Sequence, residues 1–235
     1  MRRLFNTLRL DSRLQARNKV YLIIAGAAFA LAFALSALFT PEQLHFFMPL
    51  VVLAGVSLTT VFLVGVLLLL ERGEGTLEVV LVSPLRPGEY LASKLITLTV
   101  LALVESTIIA IIAYGLGFSF GWLVIAVVMR ASMGVAVGVA VGVRYRSITH
   151  FLLPAILVSL SFDLPNIWYL NLSSSPLFYL WPSMPPLLLA KAAFMPVDPI
   201  QLVYAFIYGA LALGAALFWA SRAIERYVVR GEFTS

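Results

Sequence analysis

Residues 71–94 read ERGEGTLEVVLVSPLRPGEYLASK and stand between two long apolar stretches of the sequence. The preceding stretch covers residues 46–70, and the following one covers residues 94–117. Each can cross about 30 Å of hydrocarbon as a helix, since about 20 apolar residues are enough. The polar residues 71–94, which we term the connecting stretch, therefore join two membrane-spanning helices.

The composition indicates the same class for the whole chain. Hydrophobic residues make up 62% of the 235 and charged residues only 11%. Soluble domains average about 45–50% apolar residues and about 25% charged residues. The chain is therefore predicted to be an integral membrane protein. The absence of cysteine excludes disulfides, thiolate metal sites and a cysteine nucleophile. The two histidines, His45 and His150, lie far from each other in the sequence, which argues against a histidine metal site.

An all-α fold with six spans follows from the apolar segments. Residues 1–19 are predicted to form an amphipathic elbow helix at the membrane surface, because Arg9, Arg13 and Arg17 fall on one helical stripe. The alternative is a basic tail that only sets the topology. Residues 20–235 form the predicted transmembrane domain. Its spans cover residues 20–39, 46–70, 94–117, 121–143, 147–162 and 201–221.

Residues 163–199 separate the fifth and sixth predicted spans. They combine seven prolines with many aromatic and aliphatic residues. So many prolines would break a spanning helix, yet a solvated loop would be less apolar. Irregular backbone survives at membrane depth where protein buries it. We therefore expect re-entrant segments here.

The basic residues predict the orientation. Fourteen of the sixteen fall in the segments that lie inside if the N-terminus is cytoplasmic, which is a strong positive-inside bias. Both termini are therefore expected to be cytoplasmic. The net charge of +5 reflects this orientation rather than a nucleic-acid partner.

The connecting stretch has a helical pattern of its own. Thr76 suits a helix start, and Leu77, Val80 and Leu81 share one face. Pro84 ends this helix, because the residue before proline avoids helical angles. The pattern predicts a short cytosolic amphipathic helix between the second and third spans. The alternative is an ordinary connector.

The connecting stretch also resembles the coupling signature of type-2 ABC transporter permeases, where a Gly-Thr-Leu-Glu coupling helix, a Ser/Thr-Pro-Leu corner and a downstream lysine occur between the second and third membrane helices. The resemblance implies contact with an ATPase through these residues: Glu71, Gly75, Thr76, Leu77, Glu78, Val80, Leu81, Pro84, Glu89 and Lys94. It also implies a dimer of permease subunits, identical or different, with two separate ABC ATPase subunits that bind ATP and Mg²⁺. The chain itself has no Gly-x-x-x-x-Gly-Lys-Ser/Thr phosphate loop, so it is not expected to be an enzyme.

Two charged residues lie within predicted spans. Glu105 and Arg130 lie about 18 Å and about 14 Å from the turn between the third and fourth spans, at about 1.5 Å per residue. Because a charge at this depth costs about 2.5–3.5 kcal/mol, the two are predicted to form an ion pair. Its role is either structural or on the transport path.

Arg130 belongs to a stripe with Gly134, Gly138 and Gly142, spaced four residues apart. Such glycines allow close helix packing. The partner helix belongs either to the same chain or to a second subunit.

Within the resembled family, the chain is most similar to small multidrug permeases, including the fluoroquinolone-export type. The predicted function is the membrane half of an ATP-driven exporter in a prokaryotic plasma membrane. The expected substrate is hydrophobic or amphipathic: a drug, a lipid-like molecule or a peptide. The alternatives are a haem-exporter-type ABC permease, a proton-coupled secondary transporter using Glu105, and a non-transporting scaffold.

Overall fold

The computed structural model describes residues 2–73 and 87–229, with side chains left undescribed at residues 2–7, 10, 14, 87, 228 and 229. Within these ranges the chain is all helix and turn, and six helices are long and apolar enough to cross a membrane. The predicted all-α, six-span fold is confirmed. The helices are the N-terminal helix Arg2–Arg17, span 1 Val20–Leu38, span 2 Pro41–Gly73, span 3 Pro87–Tyr114, span 4 Phe120–Gly142, span 5 Ile148–Phe162 and span 6 Pro199–Ala223.

Spans 2 and 3 begin earlier than the apolar runs suggested, for local reasons. Thr40 caps span 2: its hydroxyl accepts from the Gln43 backbone, and the Gln43 side chain accepts from the Thr40 N–H. Span 3 begins at Pro87, a residue that fits the first helical turn. It ends before Gly115, whose φ of 86° reverses the chain.

Span 4 lies at the centre of the bundle. It is the most buried span, and it packs against spans 2, 3 and 6. Its many alanines, valines and glycines allow this, because small side chains bring neighbouring helix backbones close. The functional groups described below are therefore arranged around span 4.

Three short helices connect spans 5 and 6: Pro165–Tyr169, the 3₁₀ turn Pro176–Leu180 and Met184–Phe194. Met184–Phe194 is buried against spans 2, 4 and 6. Its 11 residues extend about 16 Å, roughly half the hydrocarbon thickness. This length suits a re-entrant helix, although re-entry into the membrane stays a prediction.

One end of the bundle gathers the N-terminal helix, the edges of the connecting stretch, residues 143–147 and the end of span 6. We term it the basic end. Lys19, with a φ of 55°, separates the N-terminal helix from span 1. The N-terminal helix lies against span 3 and exposes Arg9, Arg13 and Arg17. Its lying in the membrane surface remains a prediction.

Candidate functional site

Two predicted coupling residues, Glu71 and Lys94, meet at the basic end. The Lys94 ammonium forms an ion pair with Glu71 Oε1, and the Tyr90 hydroxyl donates to Glu71 Oε2 at 2.6 Å. Both side chains are buried, with Lys94 1% exposed. The two edges of the connecting stretch, which lie on different spans, are therefore joined directly.

The same ammonium also binds the N-terminal helix. Lys94 Nζ lies 2.6 Å from Asp11 Oδ1, and the Ser93 hydroxyl donates to the other oxygen of Asp11. One turn further along each helix, Gln15 Nε2 donates to Thr97 Oγ1 at 3.2 Å. We term Asp11, Glu71, Tyr90, Ser93 and Lys94 the buried ion cluster.

Asp11 was not among the site residues predicted from the sequence. A signal was present, because Asp11 and Gln15 lie four residues apart and therefore on one face of the N-terminal helix. Both are buried, with Gln15 0% exposed, whereas Arg9 and Arg13 are exposed. The polar side of this helix thus has two parts. The basic part, with Arg9 and Arg13, is exposed, and the part with Asp11 and Gln15 forms hydrogen bonds to span 3.

The buried ion cluster is well satisfied electrostatically. Taking charges out of water is costly, and the cost is recovered only where geometry and extra hydrogen bonds are good. Here Tyr90 and Ser93 each donate to one carboxylate while Lys94 contacts both. Because these groups are buried, the ion pairs and hydrogen bonds of the cluster connect the three helices that carry them.

Most of the predicted coupling helix lies outside the described residues: Gly75, Thr76, Leu77, Glu78, Val80, Leu81 and Pro84. Glu89 is described, and it stands half-buried in the first turn of span 3. A negative charge is favourable there, because it interacts with the positive end of the helix dipole.

Arginines extend the connections at the basic end to spans 4 and 6. Arg72, at the end of span 2, donates to the backbone oxygens of Val143 and Tyr145, with 3.4 Å to Val143. The guanidinium of Arg144 lies 5.3 Å from the ring centre of Trp219 on span 6. The ends of spans 2, 4 and 6 are thus linked to one another.

The predicted ion pair between Glu105 and Arg130 is wrong. Arg130 Nη2 lies 2.9 Å from Asp163 Oδ1, just after span 5, and it also donates to the Ser57 hydroxyl. Nη1 donates to the Phe162 backbone oxygen at 3.2 Å. Counting residues from the turn gave the depth of each charge in the membrane but not the direction in which its side chain leaves the helix. Arg130 points toward spans 2 and 5.

Glu105 has a different partner. The hydroxyl of Thr59 donates to Glu105 Oε2 at 2.5 Å. Thr59 lies in a π-helical turn, Leu58–Phe62, within span 2, and π-turns frequently occur at functional sites. This turn lies between the two charged residues: Ser57, immediately before it, bonds Arg130, whereas Thr59 bonds Glu105.

The three predicted packing glycines of span 4 face span 2 of the same chain. A Cβ at Gly134 would lie 2.2 Å from Thr60 Oγ1, and one at Gly138 would lie 2.9 Å from the Val61 oxygen. A Cβ at Gly142 would lie 3.2 Å from Gly65 Cα. Span 2 therefore occupies the glycine face.

Comparison with known proteins agrees with this architecture. The sequence model of the fluoroquinolones export permease protein family matches residues 2–232. Fluoroquinolones export permease proteins of two Mycobacterium tuberculosis strains, CDC 1551 and H37Rv, are each 33% identical to the chain over 236 positions. Each alignment covers 98% of both proteins. The chain therefore belongs to the fluoroquinolones export permease family and is a multi-pass membrane permease of export type.

Proposed function

We propose that the chain is the membrane subunit of an ATP-driven exporter whose ATP is hydrolysed by a separate ABC ATPase. Membership of an export permease family supports the transport role. The buried ion cluster is the observation that carries the proposal. It ties both edges of the connecting stretch, at Glu71 and Lys94, to each other and to the N-terminal helix.

This arrangement suits the transmission of force. An ATPase that binds residues 74–86 would pull on the end of span 2 and on the start of span 3. Because Lys94 contacts both Glu71 and Asp11, these two spans and the N-terminal helix would move as one body. Ion pairs exposed to water would hold these helices together less strongly, because water screens the charges.

The movement would reach the rest of the bundle through the basic end. Arg72 bonds the backbone at Val143 and Tyr145, directly after span 4. Arg144 in turn packs on Trp219 of span 6. A displacement of span 2 would therefore shift span 4 at the centre of the bundle and span 6 beside it. Such a shift would alternate access between the two sides of the membrane.

The assembly that we propose contains two permease subunits, identical or different, and two ABC ATPase subunits. ATP and Mg²⁺ bind the ATPases. The membrane is the prokaryotic plasma membrane, with both termini in the cytoplasm. The support for this orientation is the charge bias, since fourteen of the sixteen basic residues fall in the sequence segments that lie inside if the N-terminus is cytoplasmic.

The proposed substrate is a hydrophobic or amphipathic drug of the fluoroquinolone type. The names of the relatives in M. tuberculosis suggest the class. The composition suits it, since only 11% of the residues are charged. The two intramembrane charges predicted from sequence, Glu105 and Arg130, already bond Thr59 and Asp163.

Co-purification and transport assays test this proposal. Purifying the chain together with the products of its neighbouring genes is expected to recover an ABC ATPase. Inverted vesicles containing both proteins should then accumulate norfloxacin, a fluoroquinolone, only with ATP. An ATPase lacking its phosphate-loop lysine is the control and should give no accumulation. Accumulation driven by a proton gradient without ATP would refute the proposal, and ATP-driven transport of haem alone would refute the substrate.

A further inference from the structure

A cleft of about 530 Å³ opens between spans 5 and 6, with span 4 as its floor. This volume is in the range of sites for small molecules, about 300–1,000 Å³. Tyr208 and Trp219 border it eleven positions apart on span 6, so the cleft runs about 16 Å along that helix. It is elongated and reaches across about half of the hydrocarbon thickness.

Aromatic rings line the cleft, and the polar edges of Trp181 and Tyr208 are bonded within the chain. Trp181 donates its ring N–H to the Ser161 backbone oxygen at 2.5 Å. The Tyr208 hydroxyl donates to the Leu180 backbone oxygen. With their polar edges satisfied, these rings offer apolar surface to a ligand. Flat aromatic molecules pack favourably on such rings in offset-stacked or edge-to-face arrangements.

Ser183, which borders the cleft, has an unpaired hydroxyl. The residue is 3% exposed, and its Oγ has no hydrogen-bond partner. Ser183 precedes the helix Met184–Phe194, where a serine oxygen normally accepts from the second or third backbone N–H. Here those positions are Pro185 and Pro186, which have no N–H. The sequence thus places a serine at a helix start and removes the groups that would bond it.

An unpaired buried hydroxyl is destabilising, and an acceptor on a ligand would remove that cost. The Ser183 oxygen is itself buried, and rotation about χ1 among its three staggered positions would turn the hydroxyl toward the cleft. Behind the Phe162 ring of the cleft, Arg130 is paired with Asp163, so this wall presents no unbalanced charge. The site therefore suits a flat aromatic amphiphile that carries a carbonyl acceptor.

We propose that the cleft between spans 5 and 6 binds the exported aromatic amphiphile, with the Ser183 hydroxyl donating to an acceptor on the ligand. This inference rests on the proposed function, since a fluoroquinolone is a flat aromatic ring system with a ketone and a carboxylate. It assigns the substrate to a site within a single permease chain.

Tryptophan fluorescence can test the site directly. The chain has four tryptophans, of which Trp181 and Trp219 line the cleft and Trp122 and Trp168 do not. The permease with its ATPase, in lipid nanodiscs, is titrated with norfloxacin. Saturable quenching is expected in wild type and in Trp122→Phe/Trp168→Phe, and it should largely disappear in Trp181→Phe/Trp219→Phe. Quenching that survives in the second variant would overturn the proposal.

Two matched substitutions test the contacts. Ser183→Ala should weaken norfloxacin binding roughly fivefold, the effect of one hydrogen bond. Ser159→Ala, which removes another buried unpaired hydroxyl away from the cleft, should leave binding unchanged. Ala215→Phe should fill the cleft and abolish binding, whereas Ala210→Phe, exposed on the same helix outside the cleft, should not. Wild-type affinity in both Ser183→Ala and Ala215→Phe would refute the site.

ATP-driven export of norfloxacin, measured in the same variants, separates this inference from the proposed function. Export by wild type together with undiminished binding and export by Ala215→Phe would refute the site and leave the exporter intact. Binding with the expected pattern but without ATP-driven export would support the site and refute the exporter. A wild type that does not bind norfloxacin in nanodiscs would overturn the inference.

Discussion

The ammonium of Lys94 lies 2.6 Å from the carboxylate of Asp11, although the two residues are 83 positions apart in the chain. This contact fastens the N-terminal helix to span 3. With Glu71 as a second carboxylate on the same ammonium, it makes Lys94 the residue on which three helices depend.

Lys94→Met should destabilise the protein strongly. It leaves two buried carboxylates without their cation, and removing one partner of a buried ion pair costs about 3–5 kcal/mol. For a chain of this size we expect the apparent melting temperature in nanodiscs to fall by roughly 10 °C. Lys19→Met, at an exposed lysine, is the control and should shift it little. Equal effects of the two substitutions would contradict the role given to the buried ion cluster.

Asp11→Asn tests the link from the other side. Asparagine keeps an oxygen for the Ser93 hydroxyl but loses the charge, so a smaller loss of stability is expected than for Lys94→Met. Combined with Lys94→Met, the loss should be less than the sum of the two, because residues in one network are not additive. Additivity, measured by the same melting assay, would show that the two side chains do not interact.

Asp163→Asn and Glu105→Gln should differ in their effects. The first leaves buried Arg130 without its carboxylate, and we expect a cost of roughly 2 kcal/mol, reduced because Asp163 is 28% exposed. The second keeps an oxygen that accepts from Thr59, so it should cost less than about 1 kcal/mol. Thermal unfolding of both purified variants decides. If Glu105→Gln proved the more damaging, the assignment of Asp163 as the partner of Arg130 would be wrong.

Gly138→Ala should separate spans 2 and 4. The added Cβ would lie 2.9 Å from the Val61 backbone oxygen, and backbone cannot give way as a flexible side chain can. A cost of about 1–3 kcal/mol is typical for overpacking. Gly26→Ala is the matched control, because nothing lies within 4 Å of that Cβ. The control should keep or slightly raise the melting temperature, and a similar fall in both would refute close packing at Gly138.

Glu78→Lys and Leu81→Asp should uncouple transport from ATP hydrolysis if residues 74–86 bind the ATPase. Each changes one face of the predicted coupling helix, so ATPase activity should continue while norfloxacin accumulation in inverted vesicles falls severalfold. Glu42→Lys, an exposed charge reversal in the first turn of span 2, is the control. Wild-type transport in both coupling variants would reject the proposed role of this helix.

The fold could be predicted from the sequence because it follows from the membrane itself. Apolar length sets the number of spans, and the basic residues set their orientation. Helix ends were less accurate. The first turn of the helix that Thr40 caps is polar, and the hydropathy pattern placed that turn in a loop, whereas Pro87 has the residue type expected at a helix start.

Some residues of the site were predicted from the sequence, but most of the contacts between them were not. The sequence singled out Glu71 and Lys94, which form an ion pair, but it did not indicate Asp11. It also identified Arg130 as a charge needing a partner and assigned the wrong one, since depth along a helix leaves its rotation undetermined. The cleft at Ser183 needed the packing of three spans before it could be recognised.

The sequence alone determined that this is a six-span membrane protein with a patterned connection between spans 2 and 3, because hydrophobic length and charge bias act locally along the chain. Only the tertiary structure decided which buried charges share partners and where an open cleft remains. Those outcomes depend on how each helix is rotated against its neighbours. That rotation is set by close packing between helices, such as the contact of Gly138 with the backbone at Val61. Such a contact depends on two helices at once and cannot be read from either segment alone.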